Sequence, residues 1–317
     1  MSLFAPRTIT LPETAPDDPR VGHWLGHKAQ DVDEAQVVLL GFGSDEGVRR
    51  NGGRPGAAQA PDAIRQVLYK LTPDARAFAT FVEVLDHTVD LGNLILTESM
   101  EENQERLGAA LAPYLRRGAL PIILGGGHET SFGHFLGYVQ AEQPVRILNW
   151  DAHADVRPLK DERGHSGSPF RQALTHASGL CEGYTVAGLA PHSTARTHLD
   201  FLREHEARFF WNADLTPTLI KRLYTESAGS LMVTFDMDAV EQAAAPGVSA
   251  PAAQGMPTAL WLKAAYEAGH CRHTTSIDLV EVNPVYDIDH RTARLAALTV
   301  WQVLRGLAER ASGYSLS

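Results

Sequence analysis

The chain has 317 residues, 44% of them hydrophobic and 21% charged, and 28 Lys and Arg against 38 Asp and Glu give a formal net charge of −10. That composition excludes intrinsic disorder, collagen and long coiled coil, and the acidic balance argues against nucleic-acid or anionic-membrane binding, which needs basic patches. Two cysteines, Cys181 and Cys271, are too few for a disulfide scaffold; the first 18 residues lack a secretory h-region, and no apolar run is long enough to span a membrane, so a cytoplasmic protein is expected.

In chain order, residues 1–35 read as a peripheral N-terminal segment, and the first strand is expected at 37–41. Gly41, Gly43 and Gly47 come close to a dinucleotide fingerprint, but the third glycine is one position late and the next helix starts too far on. A helix at 61–71 opens on Pro61, and one at 100–117 is stopped by Gly118. Further strands are expected at 121–124, 145–150, 184–188, 207–211, 231–235 and 275–282, with helices at 129–140, 216–225, 257–268 and 291–310. Short apolar strands alternating with amphipathic helices imply an α/β three-layer fold around a mostly parallel sheet. No repeat and no Ser/Gly/Pro linker divides the chain, so residues 1–317 are read as a single domain.

Several strands end in polar residues, at the edge where parallel α/β sheets bind ligands. The strand VRILNW runs into Asp151, His153 and Asp155 at i, i+2 and i+4, which an extended chain points to one side. LMVTF ends in Asp236 and Asp238, and PIIL ends in three glycines followed by His128. Each alone is more often a turn or a cap than a ligand. Four carboxylates converging beside buried strands, however, repel one another unless cations neutralise them, and two divalent ions balance four charges. Oxygen-dominated ligation with two imidazoles and no nearby cysteine favours Mn(II), or alternatively Fe(II), Co(II) or Ni(II), over structural zinc. A two-metal centre implies hydrolysis.

These motifs, Gly-Gly-Gly-His128, Asp151-Ala-His153-Ala-Asp155 and Phe-Asp236-Met-Asp238, resemble the metal motifs of the ureohydrolases, the group of arginase, agmatinase and formimidoylglutamase. The resemblance spans roughly residues 36 to 310 and implies an arginase-type sandwich with a sheet of about eight strands. It implies two Mn(II) per subunit, one held by His128, Asp151, Asp155 and Asp236, the other by Asp151, His153, Asp236 and Asp238. The segment Ser276-Ile-Asp278-Leu-Val-Glu281-Val-Asn283-Pro284 is similar to the family segment whose glutamate binds the planar cationic head of the substrate. Glu281 is expected in that role, with Asp278 supporting it.

Specificity then rests on the tail of the substrate. Guanidines such as arginine and agmatine carry a cationic amine there, whereas N-formimino-L-glutamate carries two carboxylates and calls for arginines. Arg157 and Arg171 suit that tail, and with Ser-Gly-Ser-Pro-Phe-Arg-Gln and the 41–57 segment they resemble the formimidoylglutamase subgroup. Asn51 and Arg54 are expected to line the mouth of the cleft or tie its loop down, and the segment from Ala245 to Gly255 is similar to the Gly/Pro-rich loop after the family's second metal motif, a surface loop compatible with a lid role. His165 is considered as a proton shuttle, although its spacing from Asp155 departs from the arginase pattern.

The expected reaction is hydrolysis of N-formimino-L-glutamate to L-glutamate and formamide in histidine breakdown. In it a metal-bridging hydroxide attacks the formimino carbon held by Glu281, and Asp155 or a water relays the proton. The rival readings are another ureohydrolase acting on a guanidine (agmatinase, guanidinobutyrase or arginase) and a metal-bound, non-catalytic homologue. A histone-deacetylase-like site would carry a single zinc and a His-His pair, and the sequence has no such dipeptide. A small-molecule substrate is expected, and no nucleic acid or membrane partner; relatives often form homo-oligomers, which one sequence does not show.

Overall fold

The computed structural model describes residues 3–5, 9, 13, 17–27 and 32–312. Part of the segment read as peripheral, residues 1–35, therefore lies outside the described residues. Among the described residues nine strands are found: β1 (Phe4–Ala5), β2 (Val37–Phe42), β3 (Thr88–Leu94), β4 (Leu120–Gly125), β5 (Val145–Trp150), β6 (Cys181–Leu189), β7 (Arg208–Trp211), β8 (Leu231–Asp236) and β9 (Thr274–Val280). They form one sheet in the order β1-β3-β2-β4-β9-β8-β5-β6-β7, parallel throughout except where β1 pairs antiparallel with the edge of β3. The helices are α1 (Val21–His27), α2 (Glu46–Asn51), α3 (Ala60–Leu68), α4 (Phe78–Asp86), α5 (Met100–Arg116), α6 (Thr130–Ala141), α7 (Pro169–Leu174), α8 (Arg196–Glu204), α9 (Pro217–Thr225), α10 (Thr258–His270) and α11 (Arg291–Ser312).

The three-layer α/β expectation holds, with nine strands in place of about eight. Strands β2, β4 and β8 are buried at every position, the signature of a parallel strand covered on both faces. Alternate side chains divide between two cores: Leu39, Ile122, Val233 and Ile277 face a layer built on α3, α10 and α11, while Leu40, Ile123, Ile147 and Met232 face one built on α5 and α6. Val21 and Leu25 of α1 join the first core.

Local signals explain the boundaries. Ser99 caps α5 by accepting the Glu102 N–H at 3.2 Å, and the helix ends before Gly118, whose φ of 75° suits glycine. Thr216 caps α9 in the same way, ahead of Pro217.

Strand β3 was not expected. Its buried positions are Thr88, Asp90, Gly92 and Leu94, so the inward face reads as polar. Asp90 is tolerated there because fully buried Arg65 grips it with two hydrogen bonds, of 2.8 and 3.0 Å, and the Tyr69 hydroxyl donates to it at 2.7 Å. At the centre of the sheet, β4, β9, β8 and β5 are consecutive neighbours, and their carboxyl ends open on the same edge.

Candidate metal centre

The four central strands deliver the polar residues to one point. β4 leads through Gly125–Gly127 to His128, β5 into Asp151, His153 and Asp155, β8 into Asp236 and Asp238, and β9 into Glu281. Gly126 is required for close approach, since a Cβ there would lie 1.7 Å from the Ser44 carbonyl oxygen. Asp155 and Glu281 adopt left-handed backbone conformations, with φ of 45° and 65°, that non-glycine residues rarely take. Two strained residues in one cluster are what a functional site stores.

The cluster consists of two abutting groups. His128 Nδ1 lies 2.9 Å from Asp155 Oδ2, 2.9 Å from Asp236 Oδ2 and 3.3 Å from Asp151 Oδ2. His153 Nδ1 lies 3.2 Å from Asp238 Oδ2 and 3.4 Å from Asp151 Oδ1. Asp151 belongs to both groups, one oxygen turned to each. His128 is fully buried and its Nε2 is 3.0 Å from the Thr234 hydroxyl, while Nδ1 makes no hydrogen bond among the described residues despite three carboxylate oxygens around it. A proton on Nε2 leaves the Nδ1 lone pair aimed at the centre of an anionic ring, the tautomer a metal ligand needs. The backbone orients the carboxylates as well. Asp236 Oδ1 accepts the Asp238 N–H at 2.8 Å, and Asp151 Oδ1 accepts the His153 N–H at 2.6 Å.

As bare side chains the cluster is electrostatically frustrated. Asp238 pulls the His153 imidazole up to about 12. Burial, followed by Asp238 and Asp151, pushes Asp236 well above the usual carboxylate range, and burial pushes Asp238 up to about 6. Groups pushed toward holding protons are groups that a divalent cation would stabilise in the proton's place. The oxygen-rich set with two imidazoles fits two hard or borderline divalent ions.

A small cleft of about 70 Å³ opens over this cluster, lined by Asn51, His153, Asp155, Arg157, Ser166, Asp236, Asp238, Ser249, Ala250 and Glu281. Glu281 is buried; its Oε1 accepts the His128 N–H at 2.9 Å and its Oε2 has no partner among the described residues. Burial first, then Asp236 and Glu129, raise its pKa well above the ordinary range. Arg157 Nη1 donates to Asn51 Oδ1 at 3.0 Å, and Asn51 Nδ2 to Ser166 Oγ at 3.2 Å, so these residues form one rim. Asp278 lies beneath this face, accepting from Ser131 and His134.

Three residues expected at the rim or in proton transfer do not reach the cleft lining. Arg171 donates through Nε to the Val156 carbonyl at 2.8 Å and stacks on Phe201 at 3.8 Å. Arg54 binds the Val248 and Ser249 carbonyls and stacks on Tyr286, which ties two rim loops together. His165 is buried within its own loop, where Nδ1 accepts the Gly167 N–H at 3.1 Å and Nε2 lies 3.1 Å from the Pro158 carbonyl. Both its ring nitrogens are used by the backbone. Sequence reasoning missed Ser166, Ser249 and Ala250 in the cleft, and His198 of α8, a half-buried imidazole close enough to sense Arg157, Asp155 and His153. Serines and alanines in loops carry no spacing signal, and His198 sits in a helix outside every motif.

A model of the arginase family matches residues 35–305. Formimidoylglutamase from Rhodococcus opacus is 36% identical over 289 residues, 86% of each chain, and that from Lysinibacillus sphaericus is 35% identical over 87% of this chain and 86% of the relative. The crystal structure of Trypanosoma cruzi formiminoglutamase with Mn2+ superposes with a TM-score of 0.83 at 29% identity, covering 93% of this chain and all of the other. Arginase from Bacillus subtilis, at 19% identity and a TM-score of 0.72, shares the fold. With that family model matching residues 35–305 and formimidoylglutamases more than a third identical over most of the chain, the chain belongs to the arginase family.

Proposed function

We infer that this protein is a formimidoylglutamase, hydrolysing N-formimino-L-glutamate to L-glutamate and formamide. The observation that carries this reading is the shared lining of one cleft by His153, Asp155, Asp236 and Asp238 of the cluster, by Glu281 and by Arg157. The formimidoylglutamase relatives from Rhodococcus opacus and Lysinibacillus sphaericus support it. An anionic head-binder at the floor and a cation at the rim match a substrate with a cationic amidine head and an anionic tail.

His128, Asp151, Asp155 and Asp236 would hold one Mn(II), and Asp151, His153, Asp236 and Asp238 the other, with Asp151 and Asp236 shared. When bound, the two ions supply Lewis acidity and lower the pKa of water. The protein groups do the rest. Glu281 Oε2 accepts an N–H of the protonated formimino group, and the cation in turn favours the ionised carboxylate. Arg157, held by Asn51, meets a tail carboxylate. In the overall reaction the formimino carbon gains the oxygen of water and keeps its own nitrogen as formamide. The bond to the glutamate nitrogen breaks, and that nitrogen takes a proton. Asp155, beside the reacting centre in a strained conformation, is placed to relay it. Arg171, Arg54 and His165 act by fixing the loops that carry the rim.

The test is turnover by chelator-stripped, Mn-reconstituted protein on N-formimino-L-glutamate, arginine, agmatine and guanidinobutyrate. Glutamate released from the first alone is expected. Urea from any guanidine in preference would overturn the substrate assignment.

A further inference from the structure

The interface between α6 and the sheet should be dry and apolar, but a chain of polar side chains runs through it. On α6, Ser131, His134 and Tyr138 fall at i, i+3 and i+7 and share one face. On β9, Ser276 and Asp278 at i and i+2 face them, and Thr234 of β8 is the register partner of Asp278. All six are buried. An uncompensated polar seam of this length in a core is costly, so its persistence calls for a reason.

Its hydrogen bonds have a direction. Asp278 is an acceptor, and its Oδ2 receives both the Ser131 hydroxyl at 2.9 Å and His134 Nδ1 at 2.8 Å. With the Ser131 proton committed to Asp278, the 3.3 Å contact between Ser131 and Thr234 is made by the Thr234 hydroxyl donating. Thr234 is then free to accept from His128 Nε2 at 3.0 Å. On the other arm, His134 Nε2 meets the Ser276 hydroxyl at 2.5 Å, and Ser276 meets the Tyr138 hydroxyl. Burial pushes the Tyr138 phenol up to about 12, so it remains a proton donor. Asp278 is thus the common acceptor of two donor chains, and one of them ends on a ligand of the metal centre.

We propose that the Asp278–Ser131–Thr234 relay, with His134 buttressing Asp278 from the other side, locks His128 in the Nε2–H tautomer and selectively sets the affinity of the metal position that His128 serves. Ser131, Thr234, His134 and Asp278 are positioning residues: none lines the cleft. The chain ends on the Asp278 carboxyl oxygen, an acceptor, and an imidazole donating toward a carboxyl acceptor through polarised hydroxyls is a better lone-pair donor at its other nitrogen. His153 has no such chain among the described residues, and it is only partly buried. The two metal positions are therefore expected to be unequal, and only one of them tunable from beneath the sheet. This inference rests on reading the cluster as a two-metal centre.

The experiment is Mn2+ titration of the stripped full-length protein, with free Mn2+ followed by electron paramagnetic resonance and thermal stability recorded beside it. Wild type is expected to take up two Mn2+ per chain. Thr234→Val and Ser131→Ala should weaken one of them by about 10- to 100-fold and leave the other within about threefold, on the usual scale of outer-shell effects on metal affinity. His134→Phe should weaken the same position, and His134→Asn, which keeps a donor near Nδ1, should restore it. Equal weakening of both positions, or none in variants that fold, would overturn the relay. Absence of Mn2+ uptake by wild type would overturn the two-metal reading itself. Should His134→Phe not fold, the two hydroxyl variants decide the matter alone.

Discussion

Replacing Glu281 by Gln should move activity and stability in opposite directions. In the native chain Oε1 is occupied by the His128 N–H and Oε2 alone is available to the substrate. The amide of Gln would give its oxygen to His128 and turn its NH2 toward an amidine that also donates. Loss of one charge-assisted hydrogen bond costs about 1.5–3 kcal/mol, and an opposed donor adds about 1 kcal/mol. On that scale kcat/KM for N-formimino-L-glutamate falls roughly 10²- to 10³-fold. Stability should rise in the metal-stripped protein, because the variant removes a buried carboxylate that faces Asp236 and Glu129. The folded-state pKa is raised, so the native carboxyl's cost accumulates as pH climbs above the ordinary carboxylate range and vanishes below it. The gain at pH 8 is about 1–3 kcal/mol, or roughly 1.5–4.5 °C for a chain this long, and it should fade near pH 4. Steady-state kinetics and thermal melts at the two pH values read both effects. An activity loss below about fivefold, or a less stable variant at pH 8, would rule out this role for Glu281.

Arg157→Ala should raise KM by about 5- to 30-fold with a smaller change in kcat, the low end of a charged contact because Arg157 is exposed; equal losses in kcat and KM on a guanidine substrate would point to another tail. His198→Asn should shift the pH profile of kcat, whereas His165→Asn, which breaks two backbone contacts, should lower the melting temperature and leave the ionisations in place. Glu129 is buried and held up at about 7, with Oε1 accepting from Gly47 N–H and the Ser44 hydroxyl. A raised carboxyl gives stability at low pH that is lost between the ordinary carboxylate value and that raised one, so Glu129→Gln in stripped protein should flatten the decline between about pH 4.5 and 7 in melts.

The carboxylate and imidazole cluster was legible because a parallel strand converts spacing into geometry. Asp151, His153 and Asp155, like Asp236 and Asp238, leave strands that are themselves unmistakable apolar runs, and the sheet order makes their strands neighbours. Glu281 was legible for the same reason, though the chain leaves β9 at Val280 and reaches Glu281 in a left-handed turn that no spacing announces. Rim residues were harder. Arg171 read as a substrate ligand because an arginine near a metal motif suits carboxylates, but it is held by a backbone carbonyl and an aromatic face that only the tertiary fold assembles, while Arg54 takes the loop-tying one of its two expected roles. Strand β3 escaped because its inward Asp90 looks like a surface residue until Arg65 and Tyr69 are placed beside it. The relay beneath His128 escaped likewise, since Ser131 and His134 in a helix suggest a solvent face and not a buried seam.

Under the proposed function, two Mn(II) ions in this cluster enable cleavage of N-formimino-L-glutamate. The most direct measurement is glutamate release as Mn2+ is added stepwise to stripped protein of known concentration. Activity rising to a plateau at two Mn2+ per chain is the predicted result. Full turnover in the presence of excess chelator, or no turnover of this substrate with both equivalents bound, would contradict it.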